Sequence, residues 1–172
     1  MKLHEQKFEL LSYRSKTSSL LQQLPFTAEL THYQTPSGHT LCPKSLVKDL
    51  GIYLSDDLSW TPHINIMVNN ARKMASWVFK DRTKDVMLQL YKSMIRCRVE
   101  YCCPVWNPLN VQDIQNIEDI QRHFTRKIHG CKEIDYWERL KLLNLQSLQR
   151  RRERYLSIHV WKIFNAQWCV SK

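Results

Sequence analysis

The spacing of apolar and polar positions changes character near Trp60. Before it, short apolar runs alternate with polar residues. Lys7 to Tyr13 reads as a short strand. Val47 to Leu54 puts Leu50, Ile52 and Leu54 on one face and Asp49, Gly51 and Tyr53 on the other, the period of a half-buried strand. Gly51 within that run predicts a bulge or a close backbone approach, and Pro36-Ser37-Gly38 marks a turn.

Beyond Trp60 the period is helical. Thr61-Pro62 opens a helix with Ile64, Val68, Ala71, Ala75 and Val78 on one stripe, and a proline at the first helical position loses no hydrogen bond. A second helix runs from Thr83 to about Tyr101 on Met87, Leu90, Tyr91, Met94 and Ile95. Pro104 and Pro108 enclose a non-helical corner. A third helix, from about Val111 to Ile128, presents Ile114, Ile117, Gln121, Phe124 and Ile128, with Gly130 placed to end it in a left-handed conformation. Asp135 and Glu138 have the spacing of a capping box for a short helix ending near Leu143. Ser147 caps a last helix whose apolar positions are Leu148, Tyr155, Leu156, Val160, Ile163 and Phe164. The fold class is therefore α+β, mostly α: a short N-terminal β segment followed by a helical bundle of about five helices.

The length of 172 residues suits one domain with at most a small appendage, and 43% hydrophobic with 24% charged residues is a globular composition. Three glycines, at 38, 51 and 130, stand alone. Average usage would supply about a dozen, and no Gly-rich phosphate loop is present. The Lys2-Leu3-His4-Glu5 start resembles no secretory signal, and Leu30 to Pro43, the longest uncharged stretch, is too short and polar to span a bilayer. The expectation is an intracellular protein, in nucleus or cytoplasm, not secreted and without a membrane partner. Six irregularly placed cysteines fit reduced thiols better than a disulfide framework.

Charge narrows the partner. Residues 1–60 carry six basic and six acidic groups, residues 61–120 eight and six, and residues 121–172 twelve and four, so most of the net +10 lies in the last third. Such a block suits a polyanion, or simply a soluble helical surface rich in Lys and Arg. In Arg150-Arg151-Arg152-Glu153-Arg154, Arg150 and Arg154 lie one helical turn apart with Arg151 beside them, while Arg152 falls near the apolar stripe, partly packed and paired. Arg122, Arg126 and Lys127 form a second group on the preceding long helix. Two basic helical faces are suited to tracking a phosphate backbone. The adjacent carboxylates Asp56-Asp57 read as turn residues before a helix N-terminus. The C-x4-C-C and H-x5-H-x-C spacings of Cys97, Cys102, Cys103, His123, His129 and Cys131 match no standard zinc knuckle, so no metal is assigned.

The order of these motifs carries a resemblance. The run Lys48 to Trp60 with Pro62-His63-Ile64 resembles a segment of reverse transcriptases from non-long-terminal-repeat retrotransposons of the jockey and chicken-repeat type. The likeness continues through Leu90 to Arg96, Val99 to Pro108, Asp113-Ile114, Ile117-Glu118, Ile120 to Arg122, Phe124 to Arg126, Tyr136 to Leu140, and Leu143 to Arg154. It implies that residues 1–58 are a residual palm edge and 59–172 a helical thumb-like region with its C-terminal extension. It places Lys7 where the family has a lysine near the incoming nucleotide. Gly51 falls in a primer-grip-like strand turn that lets backbone approach the primer end. The nucleic-acid-binding candidates are then Lys7, Gly51, Arg122, Arg126, Lys127, Arg150, Arg151 and Arg154.

The family's catalytic aspartates lie upstream of the matched region, and Asp56-Asp57 follows the primer-grip match instead of preceding it. Polymerisation by this chain alone is not expected, nor is a cofactor, since the Mg2+ of the parent enzyme belongs to those carboxylates. The expected function is residual, backbone-directed binding of an RNA or DNA template–primer. The alternative is a structural remnant without function, whose exposed apolar surface drives self-association.

Overall fold

The computed structural model describes residues 8–13, 33–35, 38, 40–78 and 83–170, with side chains as far as Asn165 but not that of Val78. The chain forms two compact units, Met1–His63 and Ile64–Lys172. Six basic and six acidic residues leave the first unit neutral, whereas twenty basic and ten acidic residues give the second the whole net charge of +10.

In the first unit β1 (Leu10–Leu11) pairs in parallel with β2 (Pro43–Lys44), and β3 (Leu46–Asp49) pairs antiparallel with β4 (Ile52–Ser55). Only Leu10–Leu11 of the predicted Lys7–Tyr13 strand is extended and paired, and Lys7 lies outside the described residues. The predicted turn at Pro36-Ser37-Gly38 is described only at Gly38, whose N–H donates to the Thr35 carbonyl at 2.8 Å.

The Val47–Leu54 run is not one strand but a hairpin. Leu50 and Gly51 have φ of +44° and +90°, the sign pattern of a primed two-residue turn, whose twist matches that of the flanking strands. Gly51 is thus a turn residue, not a bulge. Leu54 pairs with Val47 and Ile52 with Asp49, so the face expected for Leu50 does not exist, and Leu50 is 85% exposed at the tip. A two-residue turn keeps the apolar alternation in phase, so the period passes through the reversal without a break.

Asp57 Oδ1 closes the strand exit, accepting from Ser55 Oγ at 2.7 Å and Ser59 N–H at 2.9 Å. The Tyr53 N–H donates to His63 Nδ1 at 3.3 Å. Burial lowers the pKa of His63, keeping the imidazole in the neutral form that accepts this bond.

Helix α1 (Thr61–Val78) starts on Thr61-Pro62 and buries Ile64, Val68, Ala71 and Ala75, as the stripe predicts. α2 (Lys84–Leu90) continues through a π-helical stretch, Tyr91–Arg96, into a last α turn, α3 (Cys97–Val99), two residues short of the predicted end. The wider π turns keep Tyr91, Ile95 and Val99 buried at four-residue intervals and leave Met94 exposed.

The corner expected to be non-helical contains one helical turn, α4 (Cys103–Trp106), because Pro104 sits in the first turn, where its missing N–H has no consequence. Trp106 is fully buried and its Nε1–H donates to the Tyr101 carbonyl at 2.7 Å.

α5 (Val111–Arg126), capped by the Asn110 side chain on Gln112 N–H at 2.9 Å, buries Ile117, Gln121 and Phe124. It ends at Arg126 with Lys127 still right-handed, so Gly130 (φ +76°) belongs to the turn beyond and does not terminate the helix. α6 (Tyr136–Leu142) is capped by Asp135 on Trp137 N–H at 2.9 Å, and α7 (Leu148–Val170) by Ser147 Oγ on Arg150 N–H at 3.2 Å.

A polar cluster ties this unit together inside its apolar core. Fully buried Gln121 accepts from Tyr91 Oη–H at 2.6 Å and donates to Tyr136 Oη at 3.1 Å and to the Gln146 carbonyl at 3.0 Å. Glu118, on α5, accepts from the Tyr136 hydroxyl and from the backbone N–H groups of Leu148 and Gln149, at 3.2 and 3.1 Å. A carboxylate from another helix therefore caps α7, at the end where the helix dipole favours negative charge. The fold is α+β and mostly α.

Candidate nucleic-acid interface

The two basic groups meet different fates, decided by which carboxylates lie within reach. At the end of α5 the chain turns through Lys127 to Lys132. Arg126, Lys127, His129 and Lys132, with Ile128 and Gly130, line an open hollow of about 430 Å3 that has no carboxylate in its wall. All four cationic or ionisable side chains are exposed. Arg126 and Lys127 also sit at a helix C-terminus, where positive charge complements the dipole. That placement leaves their charge facing solvent. Arg122, one turn earlier, is tied more closely: it pairs with Asp119 at 2.8 Å and lies over the Tyr136 ring at 4.9 Å.

The arginine run opening α7 is partly internal. Arg151 bonds Glu100 through Nε and, at 3.0 Å, through Nη2, and Nη2 also donates to Tyr155 Oη at 2.7 Å. Its hydrogen bond to Glu100 raises an already high pKa, outweighing the opposing effect of burial. Glu100 is itself mostly buried. Arg151 therefore ties the start of α7 to the residue that follows α3, and its guanidinium is engaged within the unit. Arg152 is 2% exposed, deeper than the expected partial packing, and its Nε and Nη1 have no hydrogen-bond partner. Burial lowers its pKa, against the pull of Glu118. Of the four arginines in the run, Arg150 and Arg154 are exposed, with Glu153 between them; Arg154 borders a small hollow of about 200 Å3 with Arg151, Tyr155 and Ile158.

Gly51 belongs to the other unit, on the hairpin turn. The structure thus brings together Arg126 and Lys127 from the predicted set and adds His129 and Lys132. Those two sit singly in the sequence, so no run marked them; Gly130 between them, as a turn signal after a helix, was the available clue. Another arginine, Arg139, is buried and structural, donating to the Ile134 carbonyl at 2.6 Å and to Thr125 Oγ1 at 3.3 Å.

Among the described residues no group of three His, Cys, Asp or Glu side chains is placed to hold a metal. Cys42, Cys97, Cys102, Cys103 and Cys131 are free thiols; Cys103 and Cys131 are buried, and burial raises the Cys103 pKa, with the Glu100 charge adding to it. Among the described residues no helix is long and apolar enough to cross a membrane.

The fold and this surface define a mostly helical α+β protein whose net positive charge lies in one unit. Compared with protein-family models, with curated proteins and with solved structures, the chain has no match.

Proposed function

We propose that this chain is the C-terminal part of a reverse transcriptase of the non-long-terminal-repeat retrotransposon type, and that its helical unit holds a template–primer duplex by the phosphate backbone. The observation that carries the binding function is the carboxylate-free hollow bordered by Arg126, Lys127, His129 and Lys132. Contacts of these side chains to phosphate oxygens carry no sequence information, so the proposed grip is independent of sequence. Arg150 and Arg154 extend the exposed positive surface. The concentration of all the net charge in one unit supports the same reading, because a neutral partner would gain nothing from it. Lys7 and Gly51 retain their family-derived roles near nucleotide and primer as part of the proposal. With no metal-holding carboxylates assigned, binding and not polymerisation is the activity proposed for the chain, in nucleus or cytoplasm.

The test is fluorescence anisotropy with RNA–DNA hybrids of unrelated sequence at low salt. The expected result is comparable affinity for each hybrid and a uniform loss of affinity in the variant combining Arg126→Ala, Lys127→Ala and Lys132→Ala. Absence of binding at low salt, or a loss confined to one sequence, contradicts the proposal.

A further inference from the structure

The outward face of α7 changes chemistry halfway along. Arg150, Glu153, Arg154 and Ser157 occupy it in the first half; Val160, Trp161 and Phe164 follow on the same side. Ile158 and Ile163, to either side of it, are exposed as well, while His159, Lys162 and Asn165 make the remaining side polar. The stripe expected to pack against the bundle does so only at Leu148 and, in part, at Tyr155 and Leu156. A broad apolar helical face is normally enclosed. This one is not: Trp161 is 65% and Phe164 63% exposed.

We infer that the second half of α7 is a dimerisation surface, and that its occupant is the same segment of a second copy of this chain. Area is the first reason. Aromatic side chains bury about 150–250 Å2 each, so Trp161 and Phe164 with the exposed parts of Ile158, Val160 and Ile163 offer on the order of 500 Å2 per copy. Two such faces bury about 1,000 Å2, the size at which specific interfaces begin.

Charge is the second reason. Residues 156–165 carry one formal charge, Lys162, on a chain of net +10. An acidic partner would be drawn to the arginines of the first half, whereas two copies meet here with little like-charge repulsion.

Shape is the third. Between α7 and the α3–α4 corner an open groove of about 440 Å3 is walled by Cys97, Cys103, Pro104, Tyr155 and Ile158, with Glu100, His159 and Lys162 on its polar side. Each copy thus has both projecting aromatic side chains and a partly apolar groove beside them, the self-complementarity that a two-fold pairing needs.

The inference stands apart from nucleic-acid binding and is tested without nucleic acid. Sedimentation equilibrium of the full chain, from about 1 to 100 μM in 0.5 M salt, is expected to give a monomer–dimer equilibrium that does not weaken with salt, since salt screens the mutual repulsion of two +10 chains. Trp161→Glu and Phe164→Glu are each expected to shift it at least tenfold toward monomer with an unchanged helical circular dichroism signal, and Arg150→Glu to leave it in place. If the two variants lose helix content, hydrogen exchange of the unaltered chain decides: protection over residues 156–165 that grows with protein concentration supports the pairing. A monomer throughout, a dimer indifferent to both variants, or protection independent of concentration, which would mean another segment of the same chain covers the face, overturns it.

Discussion

The corner after α5 and the start of α7 are both rich in basic residues and differ in physical state. The first follows the end of a helix and the second opens one. At the first, no carboxylate lies in the wall of the hollow, and Arg126, Lys127 and Lys132 keep their charge toward solvent. At the second, Glu100 takes Arg151, and the bundle encloses Arg152. Net charge counts both alike. What distinguishes them is how far the fold encloses the cation, and an exposed one is the more available to an external anion.

The sharpest way to break this comparison is to remove the carboxylate that organises the internal side. Glu118→Ala strips the acceptor from the Leu148 and Gln149 N–H groups and from the Tyr136 hydroxyl, and removes the carboxylate that most favours the charged form of Arg152. A loss of about 3 kcal/mol or more is expected in urea unfolding, because several buried groups lose partners together. A loss below 1 kcal/mol would mean that α7 does not depend on this cap.

Next in size is the contrast between two single truncations. Arg151→Ala leaves a mostly buried Glu100 with the looser contacts of Arg96 at 4.0 Å and Tyr155 Oη at 3.4 Å and is expected to cost about 1–2 kcal/mol. Arg126→Ala, at an exposed site, is expected to change stability by less than about 0.5 kcal/mol. Equal costs would erase the distinction between tied and free arginines.

Arg152→Met makes a smaller and opposite prediction. A buried guanidinium with Nε and Nη1 unpartnered contributes little net stability, so an apolar side chain of similar length is expected to be neutral or stabilising, by up to about 1 kcal/mol. A loss of several kcal/mol would show that Arg152 has partners that stabilise the core.

The mildest effect separates the two units by pH. Folding lowers the His63 pKa below its ordinary value near 6.5, so its contribution is fully present above that value and is lost as pH falls through the folded pKa. Mild acid is therefore expected to loosen the β3–β4 hairpin, followed by hydrogen exchange at Tyr53, and not to affect the arginine ties, which do not titrate there. Stability of the hairpin independent of pH between 7 and 5 would contradict the His63 assignment.

Much of the helical unit could be predicted locally. Caps at Asp135 and Ser147 and the proline start at Thr61-Pro62 depend on neighbours within four residues and form where the pattern places them, Asp135 by accepting from the Trp137 N–H. The hairpin was hidden because a two-residue turn preserves alternation, and Leu50 at positive φ is a residue that gives no turn signal. At the site, exposed Arg126 and Lys127 were visible as a run. The fate of Arg151 was not, because Glu100 is 51 positions away, and neither was the capping of α7 by Glu118, 30 positions before Leu148. Local pattern shows where charge lies along the chain; pairing across it decides what that charge can do.

The most direct test is the salt dependence of hybrid binding measured in parallel for the two basic regions. Each phosphate contact contributes about 0.7–0.9 to the slope of log affinity against log salt. Neutralising Arg126, Lys127 and Lys132 together is predicted to flatten that slope by about 2 to 3, whereas Arg151→Ala leaves it unchanged once folding is matched. An unaltered slope in the triple variant, or a flattening by Arg151→Ala as large as by the triple, would contradict the account.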